Sequence, residues 1–446
     1  MQPTLTLVNH ASAIIGIGNI QILSDPWYEG EAFHKGWDLI VPMGSEKIAP
    51  MLEKITHIYV SHEHPDHFSV KFFLQYGEQI RNHKIKILFQ TTRDKRVKKF
   101  LDSKGFEVLE LPVHQSLELA EGVKVTCIKD GLIDSGLLVQ AGDFKILNIN
   151  DCDVNTRERA EEVRQITGTV DWLLTQFSYA AWKGGRANTA WRKLAAKEKL
   201  QSMQIQLDTF KPKFVLPFAS FVYFSNQRNA YLNDSVNTPQ SVFDHFGKSD
   251  SMLVLQPFDR FDGQINPARR NKALQYWNDQ FASLTNRPLR EFTAVALPDL
   301  QDAFRNYIKR VEKANSWTFM WLVSKFSPIA VMRPVVIEID DAHARLKFDL
   351  VGKSLDLCTE PADLQMSSES LLFMLKNSFG FDTLTVNGCF EEARAGAFVK
   401  ATKTLGIENL NNVGIHMSPA ILLNRSVYKL YFRLLGKVAK RLALSN

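Results

Sequence analysis

The sequence predicts an α+β protein in which a four-layer αβ/βα sandwich precedes a smaller α+β domain. Short apolar strand patterns come first, helical patterns follow, and strands and helices then recur along the chain. A doubly wound sheet fits this order less well, and neither GxGxxG nor GxxxxGK(S/T) is present to bind a nucleotide. The order of elements therefore favours the layered sandwich.

The length of 446 residues favours two or three domains. Turn-forming residues cluster at 262–267, so we expect a first domain at 1–262, a helical linker at 263–297 and a C-terminal α+β domain at 298–446. A hydrophobic content of 45% and a charged content of 23% are typical of a soluble globular protein. The net charge of +6 is mild and does not indicate nucleic-acid binding.

Cysteine usage and the absence of targeting signals narrow the class of protein further. The four cysteines form no CxxC pattern, which argues against a disulfide scaffold, a zinc ribbon and an iron–sulfur cluster. The first residues lack the basic and apolar regions of a signal peptide, and no run of about 18 apolar residues could span a bilayer. We therefore expect a cytoplasmic protein.

A dense group of metal-binding side chains follows the predicted strand 56–61. Pro65 stops the strand and helical spacing begins at Phe68, so the group occupies a tight loop where side chains converge. Four such side chains would repel one another without a cation, and imidazole and carboxylate groups bind zinc, manganese or iron. We predict one or two divalent metal ions held by His62, His64, Asp66 and His67.

Three further side chains stand at the ends of predicted strands. The strand 144–149 runs into Asn150 and Asp151, so the Asp151 carboxylate could reach the same metal centre. Asp25 follows the strand 20–24, where its carboxylate could point into the site or cap a turn. His10 could line the same site or be structural.

The C-terminal domain shows no cluster of potential metal ligands, so we expect a binding or assembly role for it. The pattern predicts a helix at 368–377 with a serine N-cap and a strand at 384–389. A basic amphipathic helix is predicted at 425–444. Such a helix could pack on its own domain or make peripheral contact with an anionic membrane.

The motif His62-Glu63-His64-Pro65-Asp66-His67 resembles the signature of the metallo-β-lactamase superfamily. Asp151 falls where that family has its metal-bridging aspartate. Within the superfamily, the stretches 56–61, 144–148 and 216–219 are similar to the branch of CMP-N-acetylneuraminate hydroxylases. The resemblance covers residues 4–260 and implies a metallo-β-lactamase-type sandwich there. The segment 363–372 resembles a sterol-carrier-type domain, which implies an apolar cavity.

The resemblance also implies roles for the candidate ligands. His62, His64 and Asp151 would hold one metal ion, while Asp66 and His67 would bind a second ion or handle protons, so Asp66 is the candidate for catalysis. The family usually supplies another histidine before the bridging aspartate and a final one near Ala219. The nearby substitutes for the first of these are His114, Asp130 and Asp134. Such an oxygen-rich ligand set suits iron or manganese as well as zinc.

Three functions follow as hypotheses. The leading one is a metal-dependent hydrolase that uses metal-bound hydroxide on an ester, lactone, amide or phosphodiester. The alternative is an iron-dependent oxygenase component similar to the hydroxylases. Those enzymes carry an N-terminal Rieske domain, whereas this sequence begins at the hydrolase-like fold, so a separate redox protein would supply electrons. The third is a non-catalytic binding protein with a degenerate site. We expect a small-molecule substrate, or one derived from lipid or sugar, and no nucleic acid.

Overall fold

Two compact units make up the chain in the computed structural model, Met1–Glu291 and Phe292–Asn446. The structure describes residues 2–246, 251–327 and 330–423. The predicted basic helix at 425–444 lies outside the described residues, so its packing or membrane contact stays a prediction.

The first unit contains two large β-sheets with helices on their outer faces. Its strands are β1 (Thr4–Asn9), β2 (Ser12–Ile17), β3 (Ile20–Ser24), β4 (Trp37–Leu39), β5 (His57–Val60), β6 (Lys86–Gln90), β7 (Val108–Leu111), β8 (Ser116–Ala120), β9 (Val123–Asp130), β10 (Asp134–Ala141), β11 (Phe144–Asn150), β12 (Trp172–Gln176), β13 (Phe214–Phe218), β14 (Val222–Phe224) and β15 (Arg260–Phe261). Its helices are α1 (Ser45–Leu52), α2 (Val70–Gln75), α3 (Gly77–Asn82), α4 (Arg96–Ser103), α5 (Arg157–Thr167), α6 (Thr189–Phe210), α7 (Pro239–Phe246) and α8 (Pro267–Ser283).

The first sheet has the strand order β15-β1-β2-β3-β5-β6-β7. Strands β1 and β3 are both antiparallel to β2, and β3 is parallel to β5. The carboxyl ends of β1, β3 and β5 therefore lie along one edge of the sheet. Side chains alternate between the faces of β5, because Tyr59 packs between the sheets while Ile58 and Val60 pack in the outer cluster.

The second sheet has the strand order β13-β12-β11-β10-β9-β8. Strands β11, β12 and β13 are parallel, and β10 is antiparallel to β11. The start of β10 consequently lies beside the end of β11. This sheet places the residue after β11, the end of β12 and the first residue of β10 at a common edge.

Two apolar clusters establish the layers of the first unit. One lies between the sheets and extends to α5 and α6, with Leu7, Val125, Leu147, Val163 and Met203 among its members. The other joins the outer face of the first sheet to helices α1 to α4 through residues such as Ile48, Phe73, Ile80, Phe89 and Leu101. Helix, sheet, sheet and helix therefore follow in four layers, which confirms the predicted sandwich.

Residues 263–291, predicted as part of a helical linker, pack within the first unit. The Trp277 side chain on α8 is fully buried and stacks on Phe221 with 4.0 Å between ring centroids. Its indole Nε1 donates a hydrogen bond of 2.8 Å to the Leu255 carbonyl oxygen. The structure therefore places the division of the chain after Glu291. Helix α8 buries the Trp277 side chain in the core of the first unit, which a linker helix would not do.

The second unit is an α+β arrangement around a five-stranded sheet of order β18-β17-β16-β19-β20. Its strands are β16 (Val335–Ile339), β17 (Ala344–Asp349), β18 (Ser354–Leu357), β19 (Leu364–Met366) and β20 (Phe390–Glu392). Its helices are α9 (Leu297–Ala314), α10 (Trp317–Phe326), α11 (Ser368–Lys376), α12 (Gly380–Asn387), α13 (Ala397–Leu405) and α14 (Ile407–Asn412). Its sterol-carrier-type identity stays a prediction.

Two local predictions in the second unit have different outcomes. The serine N-cap of α11 is confirmed, because the Ser367 side chain accepts a hydrogen bond from the Ser370 amide. The predicted strand at 384–389 is wrong, since α12 runs through Leu384 to Asn387 and ends at Gly388, whose φ is +66°.

Among the residues that the structure describes, no helix combines the length and the apolar character needed to cross a membrane.

The packing of α8 predicts a large stability effect at Trp277. Trp277→Ala removes a buried indole and should lower the free energy of unfolding by about 3–5 kcal/mol, measured by urea unfolding followed by circular dichroism. Lys272→Ala, on the exposed face of the same helix, should change it by less than about 0.5 kcal/mol. Equal effects of the two substitutions would show that α8 is a linker rather than part of the core.

Candidate metal centre

The two sheets bring their polar strand ends to a common site. Strands β1, β3 and β5 lead into His10, Asp25 and the HxHxDH loop, respectively, while β11 leads into Asp151. The HxHxDH loop is a tight turn, because the His64 carbonyl oxygen accepts hydrogen bonds from the amides of His67 at 3.0 Å and Phe68 at 2.7 Å. Ligand sites commonly form at the carboxyl ends of parallel strands, and this site does so.

Asp25 holds the orientation of His67. Its carboxylate accepts hydrogen bonds from the Ser61 amide at 2.7 Å and the Ser61 hydroxyl at 2.9 Å. Its Oδ2 also lies 3.0 Å from His67 Nδ1. Burial raises the pKa of Asp25, an effect that the nearby His67 partly offsets. A carboxylate behind an imidazole fixes the ring so that its other nitrogen can face a metal ion.

The free edge of His67 faces two carboxylates. His67 Nε2 lies 3.4 Å from Asp66 Oδ2 and 3.4 Å from Asp151 Oδ2, yet it makes no hydrogen bond with a described residue. The Asp66 Oδ1 atom is likewise buried without one. Burial alone would lower the pKa of His67, but Asp66, Asp151 and Asp25 together raise it well above its usual value.

His10 completes one side of this group. Its Nε2 lies 3.3 Å from Asp66 Oδ2, and both side chains are buried. The His10 carbonyl oxygen accepts a hydrogen bond of 2.6 Å from the Ala219 amide, which ties the start of the chain to the end of β13. The resemblance predicted a final histidine near Ala219, and this contact brings the His10 backbone beside Ala219 while the His10 ring faces Asp66.

The other side of the site is built on His62 and His64. His62 Nε2 lies 2.9 Å from His64 Nδ1 and 3.6 Å from Asp134 Oδ1. Burial lowers the pKa of His62 well below its usual value, and the neighbouring His67 and His64 lower it further. Burial also raises the pKa of Asp134 to about 6. A neutral imidazole is the form that binds a metal ion.

Of the three predicted substitutes for the missing histidine, the structure brings only Asp134 into a ligand cluster. Asp130 Oδ1 instead accepts a hydrogen bond of 3.0 Å from Arg159 Nε, and its Oδ2 accepts one from the Asp153 amide. Asp130 therefore stabilises a neighbouring helix start. The His114 side chain is exposed, and it belongs to none of the ligand clusters among the described residues.

Gln176 is a site residue that the sequence interpretation missed. Its Nε2 donates a hydrogen bond of 2.9 Å to Asp151 Oδ1, and its Oε1 accepts one from Lys199 Nζ. The available signal was its position at the end of β12, beside the parallel strand that leads to Asp151. Gln176 leaves Asp151 Oδ2 directed at His67.

Three overlapping groups of potential ligand atoms result. In each group the three atoms lie within 4.8 Å of one another, and the groups are His10–Asp66–His67, His62–His67–Asp151 and His62–His64–Asp134. His62 and His67 each belong to two groups, so the arrangement is one continuous cluster. Its imidazole and carboxylate donors could hold one or two divalent ions.

Comparison with known proteins confirms the resemblance seen in the sequence. The chain is 24% identical over 273 residues to cytidine monophosphate-N-acetylneuraminic acid hydroxylase of Mus musculus, covering 57% of this chain and 45% of that protein. It is 26% identical over 250 residues to the Xenopus laevis hydroxylase, with 52% and 40% covered. The inactive Homo sapiens hydroxylase is 23% identical over 274 residues, with 57% and 52% covered. The chain thus spans about half the length of the curated relatives it matches. No protein-family model matches.

Solved structures that match part of the chain include a hydroxylase and hydrolases. CmlA, a diiron β-hydroxylase from Streptomyces venezuelae, has a TM-score of 0.38 and 15% identity, covering 66% of this chain and 53% of that one. A possible metal-dependent hydrolase from Veillonella parvula has a TM-score of 0.40 and 15% identity, with 59% and 100% covered. The metallo-β-lactamase fold protein YhfI from Bacillus subtilis has a TM-score of 0.37 and 12% identity, with 59% and 100% covered.

The contrast between Asp134 and Asp130 gives a direct prediction about metal content. Asp134→Asn should remove bound metal, because it replaces a carboxylate of the ligand cluster, whereas Asp130→Asn should leave the metal content unchanged. Metal per chain is measured by inductively coupled plasma mass spectrometry after dialysis. The assignment fails if the two variants lose equal amounts while circular dichroism shows both folded.

The contact between Asp25 and His67 predicts that loss of the Asp25 carboxylate weakens, but does not abolish, metal binding. Asp25→Asn should weaken metal binding by about 10- to 100-fold, since the imidazole loses its carboxylate partner. Competition with a chromogenic chelator measures this affinity, and Asp130→Asn again serves as the control. An affinity equal to that of the unaltered protein would contradict the positioning role of Asp25.

Proposed function

We propose that this protein is a metal-dependent hydrolase with a two-metal centre. The observation that carries the proposal is the continuous cluster of imidazoles and carboxylates at the joint edge of the two sheets. His62, His64 and Asp134 would hold one ion, while His10, Asp66 and His67 would hold the other. Asp151 would lie between the two ions.

The chemistry of the donor set fits divalent ions. Asp66 Oδ1 and His67 Nε2 are buried polar atoms without hydrogen bonds to described residues, and such atoms are costly unless something binds them. The donors are imidazole nitrogens and carboxylate oxygens, a set compatible with zinc, iron or manganese.

Residues next to the candidate ligands would hold those ligands in position for hydrolysis. When bound, divalent ions lower the pKa of a coordinated water molecule and polarise the bond to be cleaved. Asp25 fixes the His67 ring, and Gln176 fixes the Asp151 carboxylate. Asp66 lies between two imidazoles, so this placement supports a ligand role rather than a free catalytic acid.

A substrate panel tests the hydrolase proposal. Protein loaded with zinc, manganese or iron should cleave at least one ester, lactone, amide or phosphodiester. His64→Ala should reduce the rate by at least about 100-fold, because it removes a metal-binding side chain. Asp130→Asn should keep the rate. Absence of single-turnover cleavage with every metal, or equal rates in His64→Ala and the unaltered protein, would contradict the proposal.

A second candidate function is that of an iron-dependent oxygenase component. Asp134 supplies a carboxylate where the family usually has a histidine, and oxygen-rich ligand sets suit iron. The curated relatives are named hydroxylases, although the chain spans about half of their length. The substrate would be a small molecule, and electrons would come from a separate redox protein.

Metal analysis separates the two candidates. Redox-active iron in anaerobically purified protein, with oxygen consumption on adding a reductase, would favour the oxygenase. Protein that carries only zinc would count against it. Unchanged cellular function after His64→Ala would contradict both the hydrolase and the oxygenase, and it would favour a non-catalytic binding protein.

A further inference from the structure

The first unit contains a cavity of about 700 Å³ that is separate from the candidate metal centre. Residues 39–42 and 288–289 give it apolar walls, and the Tyr223 side chain lies beside them. None of the clustered metal-ligand candidates among the described residues lines this cavity. Binding sites for small molecules commonly have volumes of about 300–1,000 Å³. The size of the cavity therefore suits a small organic molecule.

The two-stranded ribbon of β4 and β14 lies between this cavity and the candidate metal centre. Tyr223 is directly opposite Asp38 in the antiparallel pair, so both side chains lie on the face of the ribbon that lines the cavity. Trp37 lies on the other face, where its ring centroid is 4.6 Å from that of Phe33. The Phe33 ring is in turn 5.6 Å from the His64 ring. The cavity and the metal-ligand candidates therefore lie on opposite faces of the ribbon.

One of the two arginines that line the cavity is fully paired with carboxylates. Arg290 Nε and Nη2 donate hydrogen bonds of 2.6 Å and 2.8 Å to the two oxygens of Asp38. Its Nη1 also lies 3.1 Å from a carboxylate oxygen of Glu31. This two-point contact is the strong form of an arginine–carboxylate pair. The charges of Arg290 and Asp38 therefore compensate each other at the cavity wall.

The other arginine, Arg287, has no such partner. Its half-buried side chain forms no ion pair with a described residue, and its Nη2 donates a hydrogen bond of 3.1 Å to Ser283 Oγ. Its other side-chain hydrogen bonds, to the Leu39 carbonyl oxygen and to Gln280 Oε1, are both 3.5 Å long. The Arg287 Cζ atom lies 5.5 Å from the centroid of the Tyr223 ring, a cation–π contact that orients the guanidinium group. The cavity therefore contains one oriented positive charge without a counter-ion among the described residues.

We propose that this cavity binds a monocarboxylate with an apolar body, and that Arg287 binds its carboxylate group. A guanidinium group matches a carboxylate in shape and can form two parallel hydrogen bonds with it. Because Asp38 compensates Arg290, a single positive charge is left for a single negative charge. The apolar walls at 39–42 and 288–289 remove the body of the ligand from water. This binding site goes beyond the proposed hydrolysis and does not depend on it.

Binding of octanoate and octanamide to the purified full-length protein tests the site. Isothermal titration calorimetry should show saturable octanoate binding, with a dissociation constant at least about tenfold higher for Arg287→Gln. Octanamide has the same apolar body without the charge, so it should bind more weakly and change by less than about twofold in this variant. Lys272→Gln removes a positive charge from an exposed position on α8 and should leave both affinities unchanged. Circular dichroism checks that each variant is folded.

A second variant tests the apolar wall. Leu289 lines the cavity and its side chain is 39% exposed, so Leu289→Asp should leave the fold intact. The new carboxylate should weaken the binding of both octanoate and octanamide, because it removes apolar contact from the body of the ligand. Unchanged affinity for both ligands in this variant would contradict the placement of the ligand in the cavity.

The remaining outcomes decide the role of Arg287. Equal octanoate affinity in Arg287→Gln and in the unaltered protein overturns the proposal, and so does the absence of saturable octanoate binding. Octanamide binding as tight as octanoate binding overturns the assignment of a carboxylate ligand. Octanoate held by metal ions would be lost in His64→Ala and retained in Arg287→Gln, which would also overturn the proposal.

Discussion

The structure of the first unit depends above all on how charge is compensated where the two sheets meet. His67 faces Asp25, Asp66 and Asp151, and His62 lies beside His64 and Asp134. Apolar packing cannot compensate these groups, because burial removes hydration from His67 and Asp66, and neither His67 Nε2 nor Asp66 Oδ1 has a hydrogen-bond partner among the described residues. Divalent ions would relieve the repulsion between the Asp66 and Asp151 carboxylates and replace the lost hydration. The need to compensate buried charge also explains why Asp25 holds His67 in position and Gln176 holds Asp151.

Strand direction is the reason that residues far apart in the chain can meet. Strands β1, β3, β5, β11 and β12 all end at one edge, and antiparallel β10 starts there. Each therefore contributes a polar residue at the point where its hydrogen-bonded ladder ends. The apolar cluster between the sheets fixes this geometry. The packing that stabilises the sandwich therefore also positions the residues of the site.

The sequence allowed the layered fold and the loop at 62–67 to be predicted, because periodicity and close spacing are local features. The position of Asp151 directly after its strand was also predicted, since that strand is clear. The position of His10 depends on a backbone contact with Ala219, which no local pattern encodes. Asp134 and Asp130 look equivalent in sequence, yet Arg159 engages one and the site contains the other. At 384–389, packing of a helix that ends at Gly388 overrode the local strand preference.

The hydrolase and oxygenase proposals share a claim that can be tested without a substrate. A crystal structure of the purified protein, with anomalous scattering measured at the absorption edge of its metal, locates each ion directly. We predict two peaks, one contacted by His62, His64 and Asp134 and the other by His10, Asp66 and His67, with Asp151 between them. A single peak away from these side chains, or a folded protein without any peak, would contradict it.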